Sequence, residues 1–297
     1  MQFFDKHKLH KHIEILYHYC DFKNGKVGVH LNGKKDDDYP RMSFILFTLS
    51  KAYAYGFIDD IDGHKKQELI TLFWSIYSTA SISLKESEML YICLYGMRFL
   101  KNFNQEYTVI LKDFETKKYG SLYAYPVSAY LYMSTYIECE NLRKEYSFSK
   151  EIFLQCKKMF DFLLYSNMKE TCLPFYFSEL SAHALYVESH ILQKANSVIQ
   201  QKFEKGYLND GNIFTSGVAK CMEDFARRGE FELLKSCFAF LEKRNVDKYK
   251  DYIHPYQKEN IEYLYSENES SQYICLDTNA HLVHTYLNLW HLYEKTK

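Results

Sequence analysis

The amino-acid sequence predicts an all-α protein. Apolar residues recur at the three- and four-residue spacing of amphipathic helices along almost the whole chain, and convincing strand alternation is absent. Proline and glycine, which interrupt helices, are scarce, at 4 and 11 of 297 residues. A chain of this length buries a sizeable core, and we expect one domain over residues 1–297.

The apolar spacing predicts about twelve helices. In the first half of the chain they are Phe3–Cys20, Pro40–Tyr55, Lys65–Thr79, Leu84–Phe103, Pro126–Arg143 and Ser149–Ser166. In the second half they are Glu179–Lys194, Asn196–Lys205, Thr215–Arg228, Phe231–Arg244, a broken segment around Lys258–Tyr265, and Thr278–Lys295.

Several of these boundaries carry their own signals. Pro40 and Pro126 stand where a first helical turn tolerates proline. Gly206 and Gly229 follow helical patterns at the place of a C-terminal cap. The run SLKE at Ser83–Glu86 matches the capping box that starts a helix.

Composition narrows the class of protein. Lys and Arg total 37 against 38 Asp and Glu, so no net charge attracts nucleic acid, and we expect no nucleic-acid partner. No stretch approaches the roughly 20 apolar residues of a membrane span, and the first residues lack the apolar core of a signal peptide. We therefore expect a soluble, cytoplasmic protein. The eight cysteines occur singly, without a CxxC pair, which predicts buried free thiols.

Aromatic residues are abundant, with 28 Tyr and 22 Phe. Rings with one polar edge suit cavities that bind sugars or stabilise cations. An AT-rich coding sequence inflates Tyr, Phe and Lys together and is the simpler explanation.

The predicted helices come in pairs. One pair reads FTSGVAKCMEDFARRGEFELLKSCFAFLEKR, a helix rich in small residues, a tight turn and a helix with charges on its outer side. Four other helices open similarly, with Ser, Thr or Asn near the start and few charges: YPRMSFILFTLSKAYAYG, YPVSAYLYMSTYIE, YFSELSAHALYVESHI and DTNAHLVHTYLNLWHLY.

In this pattern the chain resembles the α/α-toroid proteins. There, helical hairpins close into a ring whose inner helices line a cavity and whose outer helices face water. The resemblance spans nearly the whole chain and rests on the pairing of helices, without a family motif. The openings are spaced irregularly, by about 35 to 85 residues, so an open α-solenoid remains the alternative architecture.

Two helices carry an acid followed one turn later by a histidine. From Asp277 one stripe runs through His281, His284, Asn288 and His291, because residues three and four apart share a face of a helix. From Glu179 the same spacing leads to His183, Tyr186 and His190. Ordinary helix caps followed by satisfied polar positions produce the same pattern, and this simpler interpretation stays open.

In a toroid, the N-terminal ends of inner helices surround the mouth of the cavity. The resemblance therefore implies an enzyme that hydrolyses, eliminates or epimerises a sugar unit, with a small molecule or an oligosaccharide as its ligand. Glu179 and Asp277 would be the acid and the base, and His183 and His281 would orient them or relay protons. The candidates for substrate contacts are Tyr125, Tyr186, His190, Asp210, His284 and Asp38.

Other functions remain open at this point. A terpenoid cyclase or a prenyltransferase-like enzyme shares the toroid, but Asp59, Asp60 and Asp62 do not match the acid motifs of those enzymes. A helical scaffold that binds a protein or peptide would not be an enzyme at all. Cys275, Asp277, His281 and His284 are of residue types that bind metals, yet no second group of ligands accompanies them. We therefore expect neither a metal nor another cofactor. The oligomeric state does not follow from the sequence.

Overall fold

The computed structural model describes residues 4–31, 38–79, 99–100, 189–209, 211–247, 255–271 and 273–295. This part of the chain is mostly helical, as the sequence predicts. Its helices are α1 (Lys6–His18), α2 (Tyr39–Ala54), α3 (His64–Thr79), α4 (Ser189–Glu204), α5 (Thr215–Arg228), α6 (Phe231–Arg244), α7 (Pro255–Glu259) and α8 (Leu276–Lys295). Short 3-10 turns occupy Tyr207–Asn209 and Ile261–Tyr263.

Helices begin and end at the predicted capping residues that the structure describes. The side chain of Asp38 accepts a hydrogen bond from the backbone N–H of Arg41 and so caps α2, which has Pro40 in its first turn. Gly229 ends α5 in the left-handed conformation, with φ of 73°. The ranges of α5 and α6 agree with the prediction. Pro126 and the run Ser83–Glu86 lie outside the described residues.

Three details differ from the prediction. α4 continues through Asn196, where we expected one helix to end and another to begin, because the weak cap preference of asparagine does not stop a helix. α8 begins at Leu276, so Asp277 lies in its first turn. Two antiparallel strand pairs also form, but each strand has two residues, which is too short for alternation to be visible in the sequence.

The helices alternate between all-round burial and burial of one face. Most residues of α2 and α5 are buried, and so are the first twelve residues of α8, Leu276 to Leu287. α1, α3 and α6 each bury a single apolar face. α8 packs against α1, α2 and α5, so the last described helix contacts the first two. The four described cysteines carry free thiols, and three of them are buried.

A strand pair places the start of α8 beside the start of α2. β3 (His30–Leu31) pairs with β4 (Ile274–Cys275), and the N–H of Leu276 donates to the carbonyl of Val29 at 2.9 Å. β3 precedes α2 and β4 leads directly into α8, so the N-terminal ends of the two helices meet. The other pair joins β1 (Cys20–Asp21) to β2 (Lys26–Val27). None of the described helices combines the length and apolar character needed to cross a membrane.

Candidate functional site

The acid and the histidine predicted to share a stripe of the C-terminal helix lie in contact. Nε2 of His281 is 3.4 Å from Oδ1 of Asp277, one helical turn earlier on α8. Both side chains are almost fully buried. The stripe therefore faces the interior of the protein and not bulk water.

A third residue, Glu223 of α5, completes a row of carboxylate, imidazole and carboxylate. Oε1 of Glu223 forms a hydrogen bond with Nδ1 of His281, the opposite ring nitrogen from the one that faces Asp277. Glu223 is fully buried, and its own backbone carbonyl accepts a hydrogen bond from Nδ2 of Asn288. The imidazole ring is thus held from both sides by carboxylates of two helices.

Two cations lie on the other side of Asp277. Nε of Arg41, from α2, is 3.6 Å from Oδ2 of Asp277, and Nζ of Lys220, from α5, is 3.9 Å from the same oxygen. Nη1 of Arg41 also donates to Asp38 at 2.5 Å. A chain of alternating charges therefore runs from Glu223 through His281, Asp277 and Arg41 to Asp38. We call these five residues and Lys220 the charge array.

Burial and neighbouring charges set the protonation of the charge array. Burial alone opposes a charged imidazole, but Asp277 and Glu223 outweigh it and raise the pKa of His281 above its ordinary value. Burial would raise the pKa of Asp277, but His281, Lys220 and Arg41 outweigh it and lower that pKa well below the usual range of a carboxyl group. The charge array therefore favours an imidazolium at His281 next to a carboxylate at Asp277.

A second histidine of α8 lies one turn further along in a different environment. Oγ1 of Thr48 donates to the carbonyl of Phe44 at 2.8 Å, so it accepts from Nε2 of His284 at 3.0 Å. Nδ1 of His284 then accepts from Nζ of Lys51 at 3.2 Å. Burial, followed by the charges of Lys51 and His281, places the pKa of His284 well below its ordinary value. His284 is therefore neutral, whereas the environment of His281 favours its charged form.

An aromatic ring packs against both histidines. The ring of Phe44 lies 4.5 Å from the ring of His281 and 5.4 Å from that of His284, measured between centroids.

The structure places only some of the predicted site residues. Asp277, His281 and Asp38 belong to the charge array, and His284 lies beside it. His190 is the second residue of α4. The remaining candidates lie outside the described residues: Glu179, His183, Tyr125, Tyr186 and Asp210.

Sequence reasoning missed the partners that come from other helices, namely Glu223, Arg41 and Lys220. Their signal is a charged residue inside a helix that is otherwise apolar or made of small residues. Arg41 and Lys51 are the charged residues of α2, and Lys220 and Glu223 interrupt the small and apolar residues of α5. Such isolated charges indicate a buried ionic contact, because a buried charge needs a partner.

No cluster of metal-binding side chains is present in the described ranges. They contain no group of three or more His, Cys, Asp or Glu side chains that could hold a metal ion. Cys275 is buried next to the array, and burial, together with the charge of Asp277, raises the pKa of its thiol to about 12. A thiol with that pKa stays protonated and is a poor metal ligand.

Comparisons of the chain with protein-family models, curated proteins and solved structures find no match. Function is therefore inferred from the chemistry of the site alone.

Proposed function

We propose that the protein is an enzyme that acts on a carbohydrate by acid–base chemistry at the charge array. The observation that carries this proposal is the convergence of Arg41, Glu223, Asp277 and His281 from three buried helices. Arg41 and Asp277 lie in the first turns of α2 and α8. Titratable groups with shifted pKa values and specific charged partners are typical of catalytic sites, although ion pairs that only stabilise a fold also shift pKa values.

The arrangement of the helices supports a toroid as the architecture around this site. All-round burial of α2, α5 and α8 next to one-sided burial of α1, α3 and α6 is what inner and outer helices of a ring would show. The packing of α8 against α1 and α2 joins the end of the described chain to its beginning, as closure of a ring requires. We propose that the acid–histidine helix from Glu179 belongs to the same inner layer.

Asp277 serves as the nucleophile or as the carboxylate that stabilises positive charge in this proposal. Its low pKa keeps it ionised at neutral pH, so it does not donate a proton, and the same low pKa makes it a weak proton acceptor. The proton donor is then Glu179, as the resemblance to toroid enzymes implies. His281 orients the carboxylate of Asp277, and Glu223 holds His281 in place.

Activity assays on carbohydrate substrates test the proposal. The wild-type protein is screened against oligosaccharides of different composition, with detection of new reducing ends, of unsaturated products and of epimers. We expect Asp277→Asn and Glu179→Gln to lower turnover by about a hundredfold or more, while circular dichroism stays unchanged. Asp59→Asn, which alters an exposed acid, is the matched control and keeps full activity. Full activity in both site variants would exclude the assignment.

A further inference from the structure

A cleft on the other side of α8 from the charge array has the features of a ligand site. It is lined by residues of α1, α6 and α8 and by Tyr265, and its volume of about 700 Å³ lies within the range of small-molecule sites. We propose that this cleft binds a small organic cation, with a protonated amine next to an apolar body. The proposal does not depend on the proposed function, because no residue of the charge array lines the cleft.

Aromatic rings form one wall of the cleft. Phe238 of α6 and Tyr286 of α8 lie 6.0 Å apart between ring centroids, and Tyr265 lines the cleft as well. The buried ring of His12 stacks on Tyr286 at 5.9 Å and lies 6.3 Å from the ring of Tyr265, so it holds both tyrosines in place. The faces of aromatic rings attract cations, and the same rings bury the apolar body of a ligand.

The hydroxyl of Tyr286 has no hydrogen-bond partner within the described part of the chain. Tyr286 is 3% exposed, and neither its hydroxyl nor that of Tyr265 forms a hydrogen bond with another described residue. Nearly all buried polar groups of folded proteins have such a partner. Tyr286 lines the cleft on the face of α8 opposite Asp277, so its oxygen is available to accept a hydrogen bond from an ammonium group there.

Carboxylates lie near both hydroxyls. Burial is the main cause that raises the pKa of each tyrosine, and nearby acids raise it further: Asp5 acts on Tyr286, and Glu242 and Glu262 act on Tyr265. All three acids line the cleft. A negative charge that opposes ionisation of a hydroxyl attracts a positively charged ligand at the same place. The electrostatics of the cleft therefore favour an ammonium group next to the two hydroxyls.

Two lysines, Lys8 and Lys235, also line the cleft, and both are exposed. The carboxylates of the described lining outnumber them: Asp5, Glu242, Asp247 and Glu262. The lining thus carries an excess of negative charge, which attracts cations and repels anions. An anionic ligand would bring its charge close to the carboxylates that surround the hydroxyls.

Isothermal titration calorimetry with three matched probes tests the proposal. Phenethylammonium, 2-phenylethanol and phenylacetate share a phenyl ring and carry a positive, a neutral and a negative polar end. We expect phenethylammonium to bind at least about tenfold more tightly than 2-phenylethanol, which corresponds to one charge-assisted contact, and phenylacetate to bind more weakly than both. Equal affinity of the three probes, tighter binding of the alcohol or the anion, or no binding of the amine would overturn the proposal.

Two variants locate the bound amine. Tyr286→Phe keeps the ring and removes the hydroxyl, so the affinity for phenethylammonium should fall by about tenfold, whereas Tyr273→Phe, at an exposed position outside the cleft, should not change it. Glu242→Gln should lower the preference for the amine over the alcohol by about threefold. Glu232→Gln, at an exposed position of the same helix outside the cleft, should retain this preference.

Circular dichroism checks that each variant is folded. Wild-type affinity for phenethylammonium in both Tyr286→Phe and Glu242→Gln would place the ligand elsewhere and overturn the proposal. Asp277→Asn, which should abolish the proposed activity, should leave binding of the amine unchanged, because Asp277 does not line the cleft. Failure of the proposed function and failure of this inference are therefore distinguishable.

Discussion

At the scale of single residues, each charged side chain of the charge array lies next to a group of opposite charge. The pairing of Asp277 with His281 was predictable, because residues four apart meet on one face of a helix. The contact of His281 with Glu223 was not, since it depends on how α5 and α8 pack. Arg41 and Lys220 were missed for the same reason, since their contacts with Asp277 join three different helices.

Glu223 should contribute strongly to stability. Glu223→Gln removes one of the two carboxylates that hold the buried imidazolium of His281, so we expect the free energy of unfolding to fall by about 3 kcal/mol. The folded-state pKa of His281 should fall as well. Urea denaturation and histidine NMR measure the two effects. The control Glu232→Gln, at an exposed position of α6, should change stability by less than about 0.5 kcal/mol. Equal losses in both variants would contradict the role of Glu223.

His12 should make the protein sensitive to acid. Burial, with a smaller effect of Lys8, lowers its pKa from 6.5 to about 3, so the folded protein keeps it neutral while the unfolded chain binds a proton. The stability due to a neutral His12 is therefore complete above pH 6.5 and is lost as the pH falls from 6.5 towards 3, by at most about 1.4 kcal/mol per pH unit.

The matched variants for this prediction lie on the same helix. His12→Phe should flatten the dependence of stability on pH between about 3 and 6.5, and His7→Phe, at an exposed position of α1, should leave it unchanged. Denaturation with urea at several pH values provides the measurement. The same slope in wild type and His12→Phe would show that His12 does not titrate as described.

At the scale of elements, periodicity and caps predicted the helices well where local signals were strong. α5 and α6 have the predicted ends because Gly229, which lies between them, and the apolar spacing of both helices indicate the same boundary. α4 was divided wrongly at Asn196, since a local cap preference is weaker than the packing of a whole helix. The two-residue strands form because distant segments pair, which no local pattern records.

Gly229 gives a direct test of one such boundary. A Cβ at this position would meet no atom closer than 3.9 Å, so Gly229→Ala introduces no clash, and its cost comes from φ of 73° alone. We expect Gly229→Ala to lower the free energy of unfolding by about 1 kcal/mol. Gly229→Asn should lower it by less, because asparagine tolerates the left-handed conformation. Differential scanning calorimetry compares them. Equal stability of the alanine variant and wild type would contradict the cap.

At the scale of the whole molecule, the C-terminal helix connects the two ends of the described chain. The sequence predicted helical hairpins, but a helix pair does not reveal which distant helix it will contact. The packing of α8 against α1, α2 and α5, and the pairing of β3 with β4, appear only in the structure. The proposed closure into a toroid also involves helices predicted within residues 80–98 and 101–188, which lie outside the described part.

Removal of α8 should therefore abolish folding of the whole described unit. A chain that ends at residue 270 loses the buried residues Leu276 to Leu287 together with β4, so we expect no cooperative thermal transition. A chain that ends at Tyr293 loses the exposed residues Glu294 and Lys295 together with the two residues that follow them, and it should unfold like the full chain. A cooperative transition in the shorter chain would show that the remaining helices form a core without α8.

The central claim is that the buried charge array is a functional site, and NMR of the histidines tests it most directly. In protein labelled with ¹⁵N histidine, the ring nitrogens of His281 are followed against pH, with and without an oligosaccharide that the protein binds. The account predicts that the pKa of His281 lies above 6.5 in the free protein and that its signals shift when the ligand binds. An ordinary titration near pH 6.5 that is unaffected by the ligand would contradict it.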